Sequence, residues 1–202
     1  MDTATGDRAW DVLLIGGASG VGKSTAGRRL AHDLGIAVAE VDDLHTAVRT
    51  LTTAEQMPVL HYWHTSPAAA SMSPQEMVDL HIAVSRLLLP AVRAVIEQHV
   101  EDGNPVILEG DYLVPEVVDP HPAWNAGTLP RLRAVFLDEP DTDQVARNLN
   151  QREPDEGDQT GRARVTQMFG RWLRAECVGR PAVSIEVRPF ATVAARILSA
   201  LR

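Results

Sequence analysis

Short apolar runs alternate with segments of helical period along this chain. Val12-Leu13-Leu14-Ile15, Ile36 to Val41, Val106-Ile107-Leu108, Leu132 to Leu137 and Ala182 to Val187 are each too brief for a helix, and their apolar side chains predict five buried strands. Between the first two, Ala26, Leu30, Ala31 and Leu34 recur at helical spacing, and Gly35 stands where a left-handed C-terminal residue belongs. Ser73-Pro74-Gln75-Glu76 predicts a helix start: Ser73 caps, Glu76 closes a capping box and Pro74 takes the first helical position. That helix is expected to run through Leu80, Leu87 and Val95 to Gly103, with a kink at Pro90. Asp141-x-x-Gln144 caps a helix to about Asn150. Val165, Met168, Phe169, Trp172 and Leu173 mark one face of another from Arg162 to Val178, and Val193, Ala194, Ile197, Leu198 and Leu201 line the last. Residues 44–72 read as a short helix and an irregular insert, 115–130 as a loop holding four prolines, and 151–161 as a polar excursion.

Strands alternating with helices predict an α/β fold with a parallel sheet covered on both faces. Ligands bind such sheets beyond the carboxyl ends of the strands. The polar clusters at 16–25, 42–45, 109–112 and 138–141 all follow predicted strands, so they are expected to converge on one edge.

The first of these clusters carries the most specific chemistry. Gly17-Ala18-Ser19-Gly20-Val21-Gly22-Lys23-Ser24-Thr25 has the pattern G-x-x-x-x-G-K-[ST], a phosphate-binding P-loop between a strand and a helix. Lys23 is the chain's only lysine, against 19 Lys and Arg residues together. A lysine is a compact point charge on a flexible stem and an arginine a planar fork, so a narrow glycine loop resists that exchange. Backbone N–H groups and the helix N-terminus offer dipoles to phosphate oxygens. Lys23 is expected to bridge the β- and γ-phosphates, Ser24 to hold Mg²⁺, and Thr25 to reach the α-phosphate.

Asp42 and Asp43 follow the second strand. Asp42 is the candidate general base and a water-mediated Mg²⁺ ligand, and Asp43 a substrate contact or helix cap; a cap role for the pair is the plainer alternative. Glu109, Asp111 and Tyr112 end the third strand and are candidates for the acceptor hydroxyl or a Mg²⁺-bound water. Arg147 and Arg152 flank the polar excursion at 151–161, and Arg162 and Arg164 follow it, within a lid at approximately 150–165. Phosphoryl transfer needs such cations on the moving group. Arg188-Pro189 is a candidate surface for adenine. His61-Tyr62-Trp63-His64, within an acceptor-binding insert at approximately 44–72, suggests a pocket wall with polar tips, His61 and Trp63 above all; a packed core cluster is the alternative.

Composition narrows the partners. The formal net charge of −8 and the lack of a basic stripe argue against nucleic acid. No run approaches a membrane span, and Met1 to Asp11 lacks the apolar stretch of a signal peptide. The one cysteine, Cys177, fits a reducing cytoplasm and a place in the core.

Three segments together resemble the P-loop small-molecule kinases of the nucleoside-monophosphate-kinase-like fold: Gly16 to Thr25, Val41-Asp42-Asp43-Leu44-His45, and Ile107-Leu108-Glu109-Gly110-Asp111-Tyr112-Leu113-Val114-Pro115. Within these kinases the chain is most similar to the 2-phosphoglycerate-kinase-like group. The resemblance implies a five-stranded sheet of order 2-3-1-4-5, ATP and Mg²⁺, an arginine-bearing lid, and one kinase domain over 1–202 acting on a small-molecule hydroxyl, as monomer or homodimer. Between residues 30 and 130 the only arginines are Arg49, Arg86 and Arg93, few for a phosphorylated acceptor. The alternative is a regulatory ATPase or GTPase module without a small-molecule acceptor. In that case Ala134 to Pro140 reads as a motor-type motif, with Asp138 on Mg²⁺ and Glu139 activating water.

Overall fold

The computed structural model describes residues 9–122, 124 and 127–201. Five parallel strands form one sheet in the order β2-β3-β1-β4-β5. They are β1 (Val12–Gly17), β2 (Ala37–Glu40), β3 (Val106–Glu109), β4 (Leu132–Asp138) and β5 (Val183–Glu186). Central β1 is buried throughout, as its unbroken apolar run requires when both faces are covered. The predicted order is the observed one.

Among the described residues there are eight α-helices: α1 (Lys23–Leu34), α2 (Val41–Leu51), α3 (Pro58–Thr65), α4 (Pro74–Glu101), α5 (Thr128–Arg131), α6 (Thr142–Arg152), α7 (Thr160–Cys177) and α8 (Val193–Ala200). Helices α1 and α8 neighbour each other, as do α4 and α7. The local signals act as expected. Ser73 Oγ accepts from the Glu76 backbone at 3.3 Å while the Glu76 carboxylate accepts from the Ser73 backbone at 2.7 Å, closing the capping box. Asp141 accepts from the N–H groups of Asp143 and Gln144, and Gly35 ends α1 in the left-handed region at φ 63°. Cys177 is buried, and burial pushes its thiol up to about 11, as suits a core residue.

Helix α4 spans 28 residues with Pro90 inside it. Two expectations are corrected. Asp42 and Asp43 are not caps: α2 starts at Val41 with Glu40 in the cap position, and both aspartates sit in the first turn, where the helix dipole favours negative charge. The insert is mostly ordered. Leu60 of α3 is buried against Val84 and Leu88 of α4, which seats α3 on the long helix. Among the described residues no helix is long and apolar enough to cross a membrane.

Candidate active site

The P-loop leaves β1 at Gly17 and enters α1 at Lys23. Gly22 has φ 94°, and a Cβ there would lie 2.7 Å from the Phe190 ring, so conformation and space both demand glycine. Lys23 is buried; its ammonium donates to the Ala18 carbonyl at 2.9 Å and forms an ion pair with Asp111. The loop is braced from behind. Asn148 Nδ2 donates to the Gly20 carbonyl at 2.8 Å, Thr166 Oγ1 to the Ser19 carbonyl at 3.1 Å, and Arg152 to Ser19 Oγ at 3.2 Å. A cleft of about 760 Å³ lies beside the loop, walled by Gly20 to Thr25 with Asn148, Arg152, Arg188 and Phe190. That volume suits a nucleotide-sized ligand.

Strand pairing delivers the carboxylates. Ile15 of β1 stands beside Glu109 of β3, and Glu109 beside Glu40 of β2, so both neighbouring strands end level with the loop. Glu109 is 3% exposed and accepts a hydrogen bond from the Ser24 hydroxyl. Burial raises its carboxyl, against the pull of Ser24 and Lys23. Asp42 reaches over Gly110, where a Cβ would meet Val41 Cβ at 2.9 Å and Asp42 Oδ1 at 3.3 Å. Asp42 and Asp111 then diverge. Burial and then the Asp111 charge push the Asp42 carboxyl up to about 6, with Lys23 pulling the other way. Burial acts to raise Asp111 too, but the Lys23 ammonium, aided by His81 and Arg152, outweighs it and holds Asp111 below the ordinary carboxylate value.

A stack of flat rings walls the side away from the nucleotide cleft. Tyr112 lies between His45 of α2 at 4.4 Å and His81 of α4 at 4.8 Å, nearly parallel to both. His81 Nε2 donates to the Asp111 carbonyl at 2.8 Å, which fixes its tautomer and pins α4 to the end of β3. Burial first, then Asp42 and Asp111, push the Tyr112 hydroxyl up to about 12, so it stays a donor. His45 and His81 were missed in the sequence. Only the first carried a signal there: Asp42, His45 and Arg49 share one face of a helix started at Val41.

The other expected residues separate. Arg188 lines the nucleotide cleft, its Nε 2.8 Å from Glu139 Oε2, while Phe190 and not Pro189 completes that wall. Arg152 lines the cleft. Arg147 turns to Gln144 at 3.0 Å and Asp141 at 3.5 Å and is absent from the cleft wall. The polar excursion is short: Glu153 binds both Arg152 and Arg162, and their hydrogen bonds pull its carboxyl down to about 2. In α3 the helical turn divides the aromatic cluster. His61 Nε2 bonds Thr52 Oγ1 at 3.0 Å and His61 and His64 both act on His45, whereas Trp63 is 51% exposed. Asp43 is exposed in the first turn of α2. Asp138 and Glu139 are each buried in an ion pair, with Arg174 and Arg188. Their strand lies across β1 from Glu109, the carboxylate that meets Ser24, so the motor-type motif is a coincidence of sequence.

No protein-family model matches the chain. A 2-phosphoglycerate kinase of Pyrococcus horikoshii is 33% identical over 113 residues, which is 53% of this chain and 37% of that protein. The enzyme of the same name from Methanocaldococcus jannaschii is 33% identical over 112 residues, 53% of this chain and 36% of its own length. The chain thus spans little more than a third of the curated relatives it matches. Among solved structures, a sugar kinase from Janibacter sp. HTCC2649 superposes with a TM-score of 0.51 at 17% identity, covering 95% of this chain and 94% of that one. A putative kinase from Chloroflexus aurantiacus gives 0.50 at 12% identity, covering 96% of this chain and 100% of the other. The fold is that of the P-loop kinases. In this P-loop kinase fold the glycine loop, the end of β3 and the first turn of α2 meet at one point, and it is there that Lys23, Asp111 and Asp42 stand.

Proposed function

We propose that the protein is an ATP-dependent kinase that passes the γ-phosphate to a hydroxyl of a small-molecule metabolite. One observation carries this: at the lip of the P-loop Lys23 is ion-paired with Asp111, and Asp42 reaches over Gly110 beside the pair. Two carboxyls so placed, one bound to a cation and one open to the cleft, divide into electrostatic and acid–base roles. Asp111, bound to Lys23, stays ionised; Asp42, raised to about 6, is charged at neutral pH yet basic enough to take a proton. The acceptor oxygen attacks the γ-phosphorus, the bond to the bridging oxygen of the β-phosphate breaks, ADP leaves, and the hydroxyl proton passes to Asp42. On nucleotide entry Lys23 exchanges Asp111 for phosphate oxygens. Arg152, already at Ser19, is the lid cation best placed to meet the moving group.

The oxygen donors at the loop fit Mg²⁺. Ser24 and Glu109 would hold it, with Asp42 acting through water, and the ion would supply neutralisation of phosphate charge. No three carboxylate, imidazole or thiol groups among the described residues form a cage of their own. That suits a cation which keeps waters and shares phosphate oxygens. Cys177, a lone buried thiol, fits work in the cytoplasm. The relatives named for 2-phosphoglycerate make a phosphorylated three-carbon acid the first acceptor to try. The test is ADP release across a panel of hydroxylated metabolites, with the product identified by phosphorus NMR. A new phosphate ester supports the proposal. Turnover that no metabolite changes but a protein partner raises would instead mark a regulatory ATPase.

A further inference from the structure

The side of the site facing α2 and α3 holds one arginine, Arg49, among the imidazoles of His45, His61 and His64. Arg86 is paired with Glu116 at 2.7 Å, and Arg93 donates to the Glu116 carbonyl at 2.6 Å and lies over Trp124. That leaves Arg49. Among the described residues no carboxylate pairs with it, and its buried Nε, like that of Arg93, has no hydrogen-bond partner. A buried guanidinium nitrogen left unpaired costs free energy unless a ligand fills the gap. Burial first and then the Arg49 charge hold His45 below the ordinary imidazole value. Thr52 Oγ1 spends its proton on the Val48 carbonyl at 2.9 Å, so it accepts from His61 Nε2 at 3.0 Å, which holds α3 to the end of α2 beside Arg49.

Geometry sets the size of that ligand. Asp42 and Arg49 are seven residues apart on one face of α2, about 10 Å along the axis. Side chains on a helix lean toward its N-terminus, so Arg49 covers the turn that carries His45 and shortens the gap. Tyr112, stacked on His45, feels both Asp42 and Arg49 and walls the space between them. Charge sets the class. The site offers one uncommitted guanidinium on this side and three carboxylates, Asp42, Glu109 and Asp111, on the other. A phosphorylated acid would bring several negative charges beside those carboxylates, and of the permanent cations near them Lys23 is bound to Asp111 and Arg152 to Ser19, which leaves Arg49 to meet them.

Resting on the kinase reading above, we infer that the acceptor is a small unphosphorylated hydroxy acid, its carboxylate on Arg49 and its reacting hydroxyl at Asp42. The test uses straight-chain hydroxy acids of three to six carbons, the alditol of each, and 2-phosphoglycerate. Transfer is measured by ADP release, and binding of the same compounds by calorimetry with ADP and Mg²⁺ present. One or more acids is expected to exceed its alditol by about 10- to 100-fold in kcat/KM, the value of a charge-assisted contact. Arg49→Gln is expected to collapse that ratio with thermal stability and ADP binding kept, and Arg49→Lys to restore part of it. Preference for the alditol or for 2-phosphoglycerate, or an unchanged ratio in Arg49→Gln, overturns the inference. If an acid binds in an Arg49-dependent way but nothing is phosphorylated, the inference about the ligand stands and the kinase reading falls. If no acid binds or reacts, while a neutral or phosphorylated compound does either or nothing does, the inference is lost.

Discussion

Replacing Asp42 by asparagine should make the protein more stable and nearly inactive. The folded state raises the Asp42 carboxyl from 3.8 to about 6, so it binds that proton more tightly than the unfolded chain does. Stability from this group is therefore present below about pH 4 and lost as the pH rises through about 6. At pH 7.5 the carboxylate is ionised at a cost. Each tenfold in proton affinity is worth about 1.4 kcal/mol, which makes the cost roughly 3 kcal/mol in a dry site. Asp42 opens onto the cleft, and solvent screening reduces this to the order of 1 kcal/mol. For a chain of this size that is a rise of about 2–4 °C in Tm for Asp42→Asn at pH 7.5. At pH 4.5 the wild-type group is already protonated in the fold, and most of the difference should vanish. Transfer should fall about 10²- to 10⁴-fold through loss of the base, with ATP affinity little changed. Paired thermal melts at the two pH values, nucleotide titration and turnover decide it. A variant that melts lower at pH 7.5, or loses ATP binding in step with turnover, would refute a strained base and mark Asp42 as structural.

Lys23→Ala should abolish turnover, measured as ADP release; retained turnover would remove the P-loop mechanism. Gly22→Ala sets a side chain at φ 94° and 2.7 Å from Phe190, so nucleotide affinity should fall and stability drop by about 1–3 kcal/mol, read by titration and denaturant melts. Glu109→Gln keeps the shape beside Ser24 but removes the charge, and the Mg²⁺ concentration for half-maximal turnover should rise severalfold; an unchanged Mg²⁺ dependence would place the ion elsewhere.

What could be read from the sequence was local. The P-loop lies within nine residues, the capping box of Ser73 and Glu76 within four, and the apolar runs mark strands with no knowledge of their neighbours. Which strand lies beside which is what the resemblance to the P-loop kinases implies, and the sheet has that order. The residues that were missed depend on long-range packing. His81 lies 30 residues from the Asp111 carbonyl it holds. Arg86 and Arg93 looked as available as Arg49 until Glu116, far along the chain, was seen to occupy them. Asp138-Glu139 matched a motif whose meaning depends on which side of β1 its strand pairs, and no local pattern specifies that. The cluster at 61–64 has the sequence of one wall, but helical geometry sends its histidines toward α2 and leaves Trp63 half in solvent.

The same long-range pairings explain why the site needs a ligand to be complete. Lys23 is satisfied without nucleotide because Asp111 stands in for the phosphates, and the loop's carbonyls are satisfied by Asn148 and Thr166. The lysine of the donor half is thus paired within the protein, which keeps a buried ammonium from destabilising the fold. The acceptor half is not. Asp42 is held near its limit of ionisation, and Arg49 has a buried nitrogen with no partner. Both strains ease together when one molecule brings a proton to the first and a negative charge to the second. Interaction energy held back in this way is realised only with the correct molecule in place, which is where selectivity between chemically similar acceptors has to arise.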